Sequence, residues 1–449
     1  MKKNKKGITL VALVITIVIL LILAGISISS LSNTGIFGKA KEAQKVSENA
    51  EKEQKNILSE YEDEIYNNAS TSNVEKVSDS KPGELEIDES NPNEYTINSI
   101  EDLVFFSYDV RNGNTYEGKT VKLGQDLDFK SSKSYVNSHR TDYEKYGYSG
   151  DLKQALETSG FEPIGVYEDD TFDFNNSFSG IFDGNGKTIY NLKIEKEINE
   201  NKKYAIGLFA VSKGILRNIK LEKTEISVNE KSDYFGAVGG IVGLNTEESV
   251  INTCSTSGRI EVTGSDGNYN LGGIAGANSG TIEKSYNDSS IYGIIDFWYS
   301  RDARIGGVIG ANEKNGNAKN VFNKGDIYIR DNKQNKDGRT HLSGIIGKNL
   351  GSINTGYNVG KIINNCNYGT LLINETAYFE NESTIDNCYY LKDLIINNTT
   401  NTIRKQSNGI EKTEEEMKTD NFIQLLNKEN QNIWKKDTKN QNNGYPIFE

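Results

Sequence analysis

The chain has 449 residues, with 51 Lys+Arg against 63 Asp+Glu and a net charge of −12. That length leaves room for a large folded body with accessory segments. An acidic chain with dispersed basic residues is a poor nucleic-acid binder, because phosphate contacts need clustered Lys and Arg. Proline is scarce (4), while glycine (43) and tyrosine (24) are abundant, a balance that suits strands joined by many tight turns.

Residues 1–7, Met-Lys-Lys-Asn-Lys-Lys-Gly, precede a mainly apolar run from Ile8 to Ile28. As a helix rising 1.5 Å per residue, this run spans roughly 30 Å, the thickness of a bilayer's hydrocarbon core. The lysines before it hold the start of the chain in the cytoplasm. The expectation is a single-pass protein with a cytoplasmic N-terminus and a C-terminal body at the cell surface. The junction Lys5-Lys6-Gly7-Ile8-Thr9-Leu10-Val11-Ala12 resembles the prepilin cleavage and methylation motif of type IV pilins and their relatives. That resemblance implies a processing segment at Gly7, Ile8 and Thr9. A prepilin peptidase would cut after Gly7 and methylate the new N-terminus at Ile8. Pilins of this family carry a glutamate as the fifth mature residue, and Ala12 stands in that place here. One contact expected inside an ordinary fibre is therefore missing. An uncleaved signal anchor is the alternative reading of the same residues. Either way, residues 1–30 are the basic leader and pilin-like transmembrane helix.

Residues 31–67 read as a charged helical stalk, with only a thin stripe of Ala40, Ala43, Ala50, Ile57, Tyr61 and Ile65. Residues 68–93 are rich in Asn, Ser, Asp and Glu and read as a flexible acidic linker. Residues 94–200 are expected to hold a β-rich cap and the first coils. In them, Ser99 to Asp102 opens a short helix carrying Leu103, Val104, Phe105 and Val110. Asp183-Gly184-Asn185-Gly186 marks a tight turn.

Residues 201–400 repeat one phrase. It runs Val-Gly-Gly-Ile-Val-Gly-Leu-Asn from Val238 and returns from Leu271, Ile305 and Leu342. Self-similarity at this period is the signature of stacked units, none of which buries its apolar face alone. The expectation is mainly β: a right-handed parallel β-helix, or solenoid. Three strands per coil are expected, in the first unit Gly240–Gly243, Val250–Cys254 and Gly258–Val262, with surplus residues in a loop or an extra strand. Cys254, Cys366 and Cys388 read as occupants of one small inward slot that Ser285, Val321 and Gly356 fill in other units. Residues 401–449 form a C-terminal capping segment. Its Thr413 capping box, Trp434 and Tyr445–Phe448 are expected over the last coil. The Gly-Gly-Ile-Val-Gly phrases, followed by Asn245, Asn278, Asn312 and Asn349, resemble the GLUG motif of bacterial surface proteins. The resemblance implies a surface, adhesin-like setting and brings no catalytic residues.

The two histidines, His139 and His341, have no motif around them, and no nucleotide-binding loop, hydrolase elbow or zinc pattern is present. No cofactor or metal is expected. Two aromatic insertions are candidate contact surfaces, one with Tyr143 and Tyr146, the other with Trp298, Tyr299, Arg301 and Arg304. Rings offer flat faces to sugars or partner side chains, and Arg pairs with carboxylates. The plainer alternative is a solvated loop for the first and a shield over the coil for the second. The sequence thus predicts an anchored, adhesin-like β-helix that binds a glycan or protein ligand. A minor or structural subunit of a type IV pilus-like assembly and a surface polysaccharide-degrading enzyme are the alternatives.

Overall fold

The computed structural model describes residues 85–449 except 89–90, 136–142, 168–173, 200–201, 232–234, 265–268, 296–301, 332–338, 367–369, 375, 380–382, 400–402, 406–407 and 429–431. The apolar run Ile8–Ile28, the processing residues Gly7, Ile8 and Thr9, the stalk and most of the linker lie outside the described residues. Among the described residues, no helix is long and apolar enough to cross a membrane.

The body begins with an antiparallel hairpin of Glu86–Asp88 and Asn91–Ile97, inside the stretch that composition marks as linker. Its second strand pairs in parallel with Thr120–Leu123. Between them runs the helix Ile100–Arg111. The Ser99 hydroxyl accepts the Asp102 N–H at 3.1 Å and the Asp102 carboxylate accepts the Asn98 N–H at 3.0 Å, so two donors at the helix start are satisfied. Leu103, Val104, Phe106 and Val110 are buried beneath it.

From Tyr204 the chain winds in coils with three faces, built on two smaller sheets and one large one. The first sheet has seven strands, from Tyr204–Ile206 to Ile403–Lys405. The second has six, from Phe209–Ser212 to Ala377–Phe379. The third is nineteen-stranded and wraps the remaining sides. Pairing along the coils is parallel and in register: Val238 faces Leu271, which faces Ile305, which faces Leu342. These four, with Ile241, Ile274, Val308 and Ile345 beside them, are fully buried. Each such side chain contributes about 1.5–3 kcal/mol through burial.

Most coils hold four strands where the sequence suggests three, and in the third coil the last two merge into one strand, Thr281–Ile295. In the second coil they are Gly236–Gly239, Val242–Asn245, Val250–Asn252 and Ser255–Gly264. The pair Gly240-Ile241, read from the sequence as part of a strand, is the corner between the first two. Close approach explains the glycines. A Cβ on Gly240 would sit 2.4 Å from the Gly273 carbonyl, and one on Gly307 would sit 2.2 Å from the Gly344 carbonyl. A Cβ on Gly276 would reach 2.4 Å from the Val238 nitrogen. The first two sheets therefore meet backbone to backbone, which only glycine permits.

Buried amides run along the corners. Asn245 Nδ2 donates to Asn278 Oδ1, Asn278 to Asn312 and Asn312 to Asn349, each at 2.7 Å. A second ladder links Asn287, Asn323 and Asn358 at 2.9 Å per step. The small slot is real for four residues aligned by register, Ser285, Val321, Gly356 and Cys388, and Cys254 precedes them in the same column. Cys366 departs from this reading. It follows the strand Ile362–Asn365, which pairs with Ile327–Asp331 rather than with the slot strands. Its resemblance to the other two is one of local sequence only.

The C-terminal segment also departs from expectation. Strands Ile403–Lys405 and Ile410–Lys412 add to the end of the coil. The Thr413 capping box then opens a short helix, with Thr413 Oγ1 accepting the Glu416 N–H and Glu416 accepting the Thr413 N–H. From this helix onward the tail packs along the flank of the solenoid. Tyr286, Phe322 and Tyr357 form a column of near-parallel rings, 4.6 and 4.9 Å apart. Trp434, Phe422 and Phe448 close over it. Trp434 Nε1 donates to Asn320 Oδ1 at 3.0 Å, and the Tyr357 hydroxyl donates to the Pro446 carbonyl at 2.6 Å.

Candidate functional site

Among the described residues, a groove lies on the outer face of the six-stranded sheet. Ile164 and Phe178 each make a single parallel bridge to its first strand, at Phe209 and Ser212. The described residues next to each bridge, Gly165 to Tyr167 and Phe174 to Ser177, leave the sheet. Gly165, at φ +78°, starts the excursion, and the Val166 N–H donates to the Asn176 carbonyl at 3.0 Å to close its neck. Tyr167 and Phe174 then stack at 5.7 Å above Ala205, Ala210 and Val211. They form one wall.

The floor comes from an outward row in which Val211, Leu244, Ala277 and Ala311 follow one another in register. Val211 is covered by the aromatic wall, while Leu244 and Ala277 line the open space beyond it. After Asn245 a turn closes through the Ser249 N–H to the Thr246 carbonyl at 3.0 Å, with Thr246 Oγ1 donating to the Ser212 carbonyl at 3.0 Å. This turn projects Glu247 and Glu248, and Glu313 comes from a later coil. Together with Phe235, Lys203 and Lys213, these side chains enclose about 730 Å³. That lies within the range of small-molecule sites. The Lys213 ammonium stands 5.9 Å from the Phe174 ring centre, and Glu247 accepts from Asn315 Nδ2 at 3.0 Å.

Asn245 also lines this groove. It is 1% exposed, and its Oδ1 has no donor among the described residues. The reason is ladder polarity. Every amide passes its Nδ2 to the following coil, and in the coil before stands Ser212, whose hydroxyl accepts from Ser249 at 2.9 Å. The ladder therefore ends at Asn245 on a buried acceptor, which the donors in line behind it polarise.

The residues singled out from sequence lie elsewhere. Tyr146 is buried against Phe105 and Tyr108, and the Tyr143 hydroxyl donates to Glu101 at 3.2 Å. Both clasp the helix Ile100–Arg111. Arg304 is set in a strand of the seven-stranded sheet, between Asn270 and His341. Its guanidinium donates to Asn270 Oδ1 at 3.4 Å and pairs with Asp302. Trp298, Tyr299 and Arg301 lie outside the described residues. Another aromatic pair, Tyr292 and Tyr328, stacks at 4.6 Å with the Arg259 guanidinium 3.4 Å from the Tyr292 ring centre. These groups cover one another's faces. Sequence reading passed over Tyr167 and Phe174, although an acidic, aromatic run between two interrupted strand residues was a usable signal. No group of three or more His, Cys, Asp or Glu among the described residues is arranged to hold a metal ion.

Comparison with known proteins bears on the other end of the chain. Residues 2–28 match the prokaryotic N-terminal methylation motif. The prepilin-type motif is present. It marks a membrane-anchored or pilus-type secreted protein and implies processing by a prepilin peptidase. No curated protein matches the sequence. Among solved structures, the chain is similar to the crystal structure of a "putative immunoglobulin A1 protease" from Bacteroides ovatus. The identity is 18% and the TM-score 0.47, over 81% of this chain and 93% of that one. Nothing about activity follows from a likeness at that level.

Proposed function

We propose that this protein is an adhesin-like surface protein, which its prepilin-type segment anchors in the membrane so that the solenoid is held outside the cell to bind a ligand. One observation carries the reading: a methylation motif at residues 2–28 stands ahead of a long parallel solenoid with an open, aromatic-walled groove. The resemblance of the repeats to GLUG-motif surface proteins supports it. In this reading Ile8–Ile28 is the single membrane span, the N-terminus is cytoplasmic, and the role is binding rather than catalysis.

A subunit of a pilus-like assembly is the second reading, favoured by the motif itself. Ala12 weighs against it, because the carboxylate expected to meet a neighbour's terminal amine is lacking. Treatment of intact cells with an added protease tests display. The solenoid is expected to be cut or released while a cytoplasmic marker stays whole. Protection of the solenoid until the cells are lysed would overturn the proposal.

A further inference from the structure

We infer that the groove beside Asn245 is a carbohydrate site that takes a short run of neutral sugar rings. The inference rests on the adhesin-like reading and gives it a ligand class and a place. Three features of the groove converge on this chemistry.

The first is its division into unlike walls. Phe174 and Phe235, both half-buried, stand on the apolar side, and Leu244 and Ala277 form the floor. A pyranose ring presents a C–H face that packs on such surfaces, and aromatic contacts add about 0.5–1.5 kcal/mol beyond area burial. The second is the mixed sign of the rim. Glu247, Glu248 and Glu313 stand with Lys203 and Lys213 around one space. An anionic ligand meets three carboxylates there, and a cationic peptide meets two ammonium groups. Hydroxyls donate and accept, so a neutral polyol satisfies carboxylates and ammoniums alike.

The third is the Asn245 carbonyl oxygen, a buried acceptor with no donor among the described residues. Leaving such an atom unpaired costs about 1–3 kcal/mol. Asn245 belongs to the lining of the groove, and a sugar hydroxyl that reached its side chain would supply the missing donor. The groove thus offers stacking, charge-assisted acceptors and one fixed amide acceptor within a single volume, which is how orientation-specific sites are built.

Tri- and tetrasaccharides of glucan, mannan and galactan, titrated into the full-length protein in a zwitterionic detergent without sugar headgroups, test this. Saturation-transfer NMR and calorimetry are the readouts. At least one neutral series is expected to bind, with Phe235→Ala and Glu248→Ala each weakening it tenfold or more and Tyr292→Ala leaving it unchanged. Glu248 is exposed, so its variant keeps the fold and guards against a loss caused by unfolding. Binding that survives both groove substitutions, or a groove that takes only lysine-rich peptides and none of the oligosaccharides, overturns the inference. Neither result touches surface display. Conversely, a protein found undisplayed on cells could still bind sugar in solution, so the two ideas fail separately.

Discussion

At the scale of single residues, the solenoid is held by side chains that do one job repeatedly. Asn312 accepts from Asn278 and donates to Asn349, and also donates to the Gly316 and Ser352 carbonyls. Replacing it by alanine strands a donor on one side and an acceptor on the other, each costing about 1–3 kcal/mol. Asn312→Ala is therefore expected to lower unfolding stability by roughly 3 kcal/mol, measurable as a drop in the urea midpoint at unchanged m-value. The cysteines give a second prediction. Burial pushes the Cys254 thiol from 9.0 up to about 12. A raised folded-state value means that the unfolded chain ionises first. The contribution is thus complete below about pH 9 and declines as pH climbs from 9 towards 12. Native protein at about pH 8 should leave all three buried thiols untouched by iodoacetamide, and urea should expose them together. Rapid labelling without denaturant would contradict the inward placement. The slot was legible in sequence because Ser, Val, Gly and Cys share only small size. Cys366 was misplaced because Ile-Asn-Asn-Cys occurs in a strand of different register, and local sequence carries no record of register.

At the scale of elements, the glycine corners and the flanking tail show where sequence reading stops. Repetition revealed the glycines, but one strand was read where two meet, because the backbone-to-backbone contact of two sheets is a tertiary fact. A Cβ on Gly310 would lie 2.4 Å from the Leu271 nitrogen. Gly310→Ala must part the sheets, and a loss of about 3 kcal/mol is expected, towards the upper end of overpacking effects. The tail was expected over the last coil on the argument that open strand edges need cover. Its true seat, the ring column of Tyr286, Phe322 and Tyr357, was visible as an aromatic directly after the small slot in successive units from Ser285 onward. Trp434 binds Asn320 through its indole N–H and packs on Phe322, Tyr357 and Phe448. Trp434→Ala is expected to cost about 3–5 kcal/mol of tail docking. Limited proteolysis should then cut after Met417 in the variant while the coils remain intact. Equal resistance of variant and parent would show that the tail is held by other contacts.

At the scale of the whole molecule, two kinds of information come from two ends of the chain. Repeat period and glycine pattern pointed to the solenoid, and a basic leader with an apolar run pointed to the prepilin-type segment. The candidate groove was hardly legible at all. It is assembled from an insertion at Tyr167 and Phe174, a turn at Glu247 and Glu248, and Glu313 from a later coil, residues whose proximity depends on the winding of the coils. Conversely, the aromatic residues that stood out in sequence, Tyr143 and Tyr146, are spent on packing. The central claim is that a prepilin-type segment presents this solenoid. Its most direct test is mass spectrometry of the mature N-terminus of protein isolated from its native membrane. The account predicts a chain that begins at N-methylated Ile8 with Gly7 and the preceding lysines removed. A chain that still begins at unmodified Met1 would contradict it.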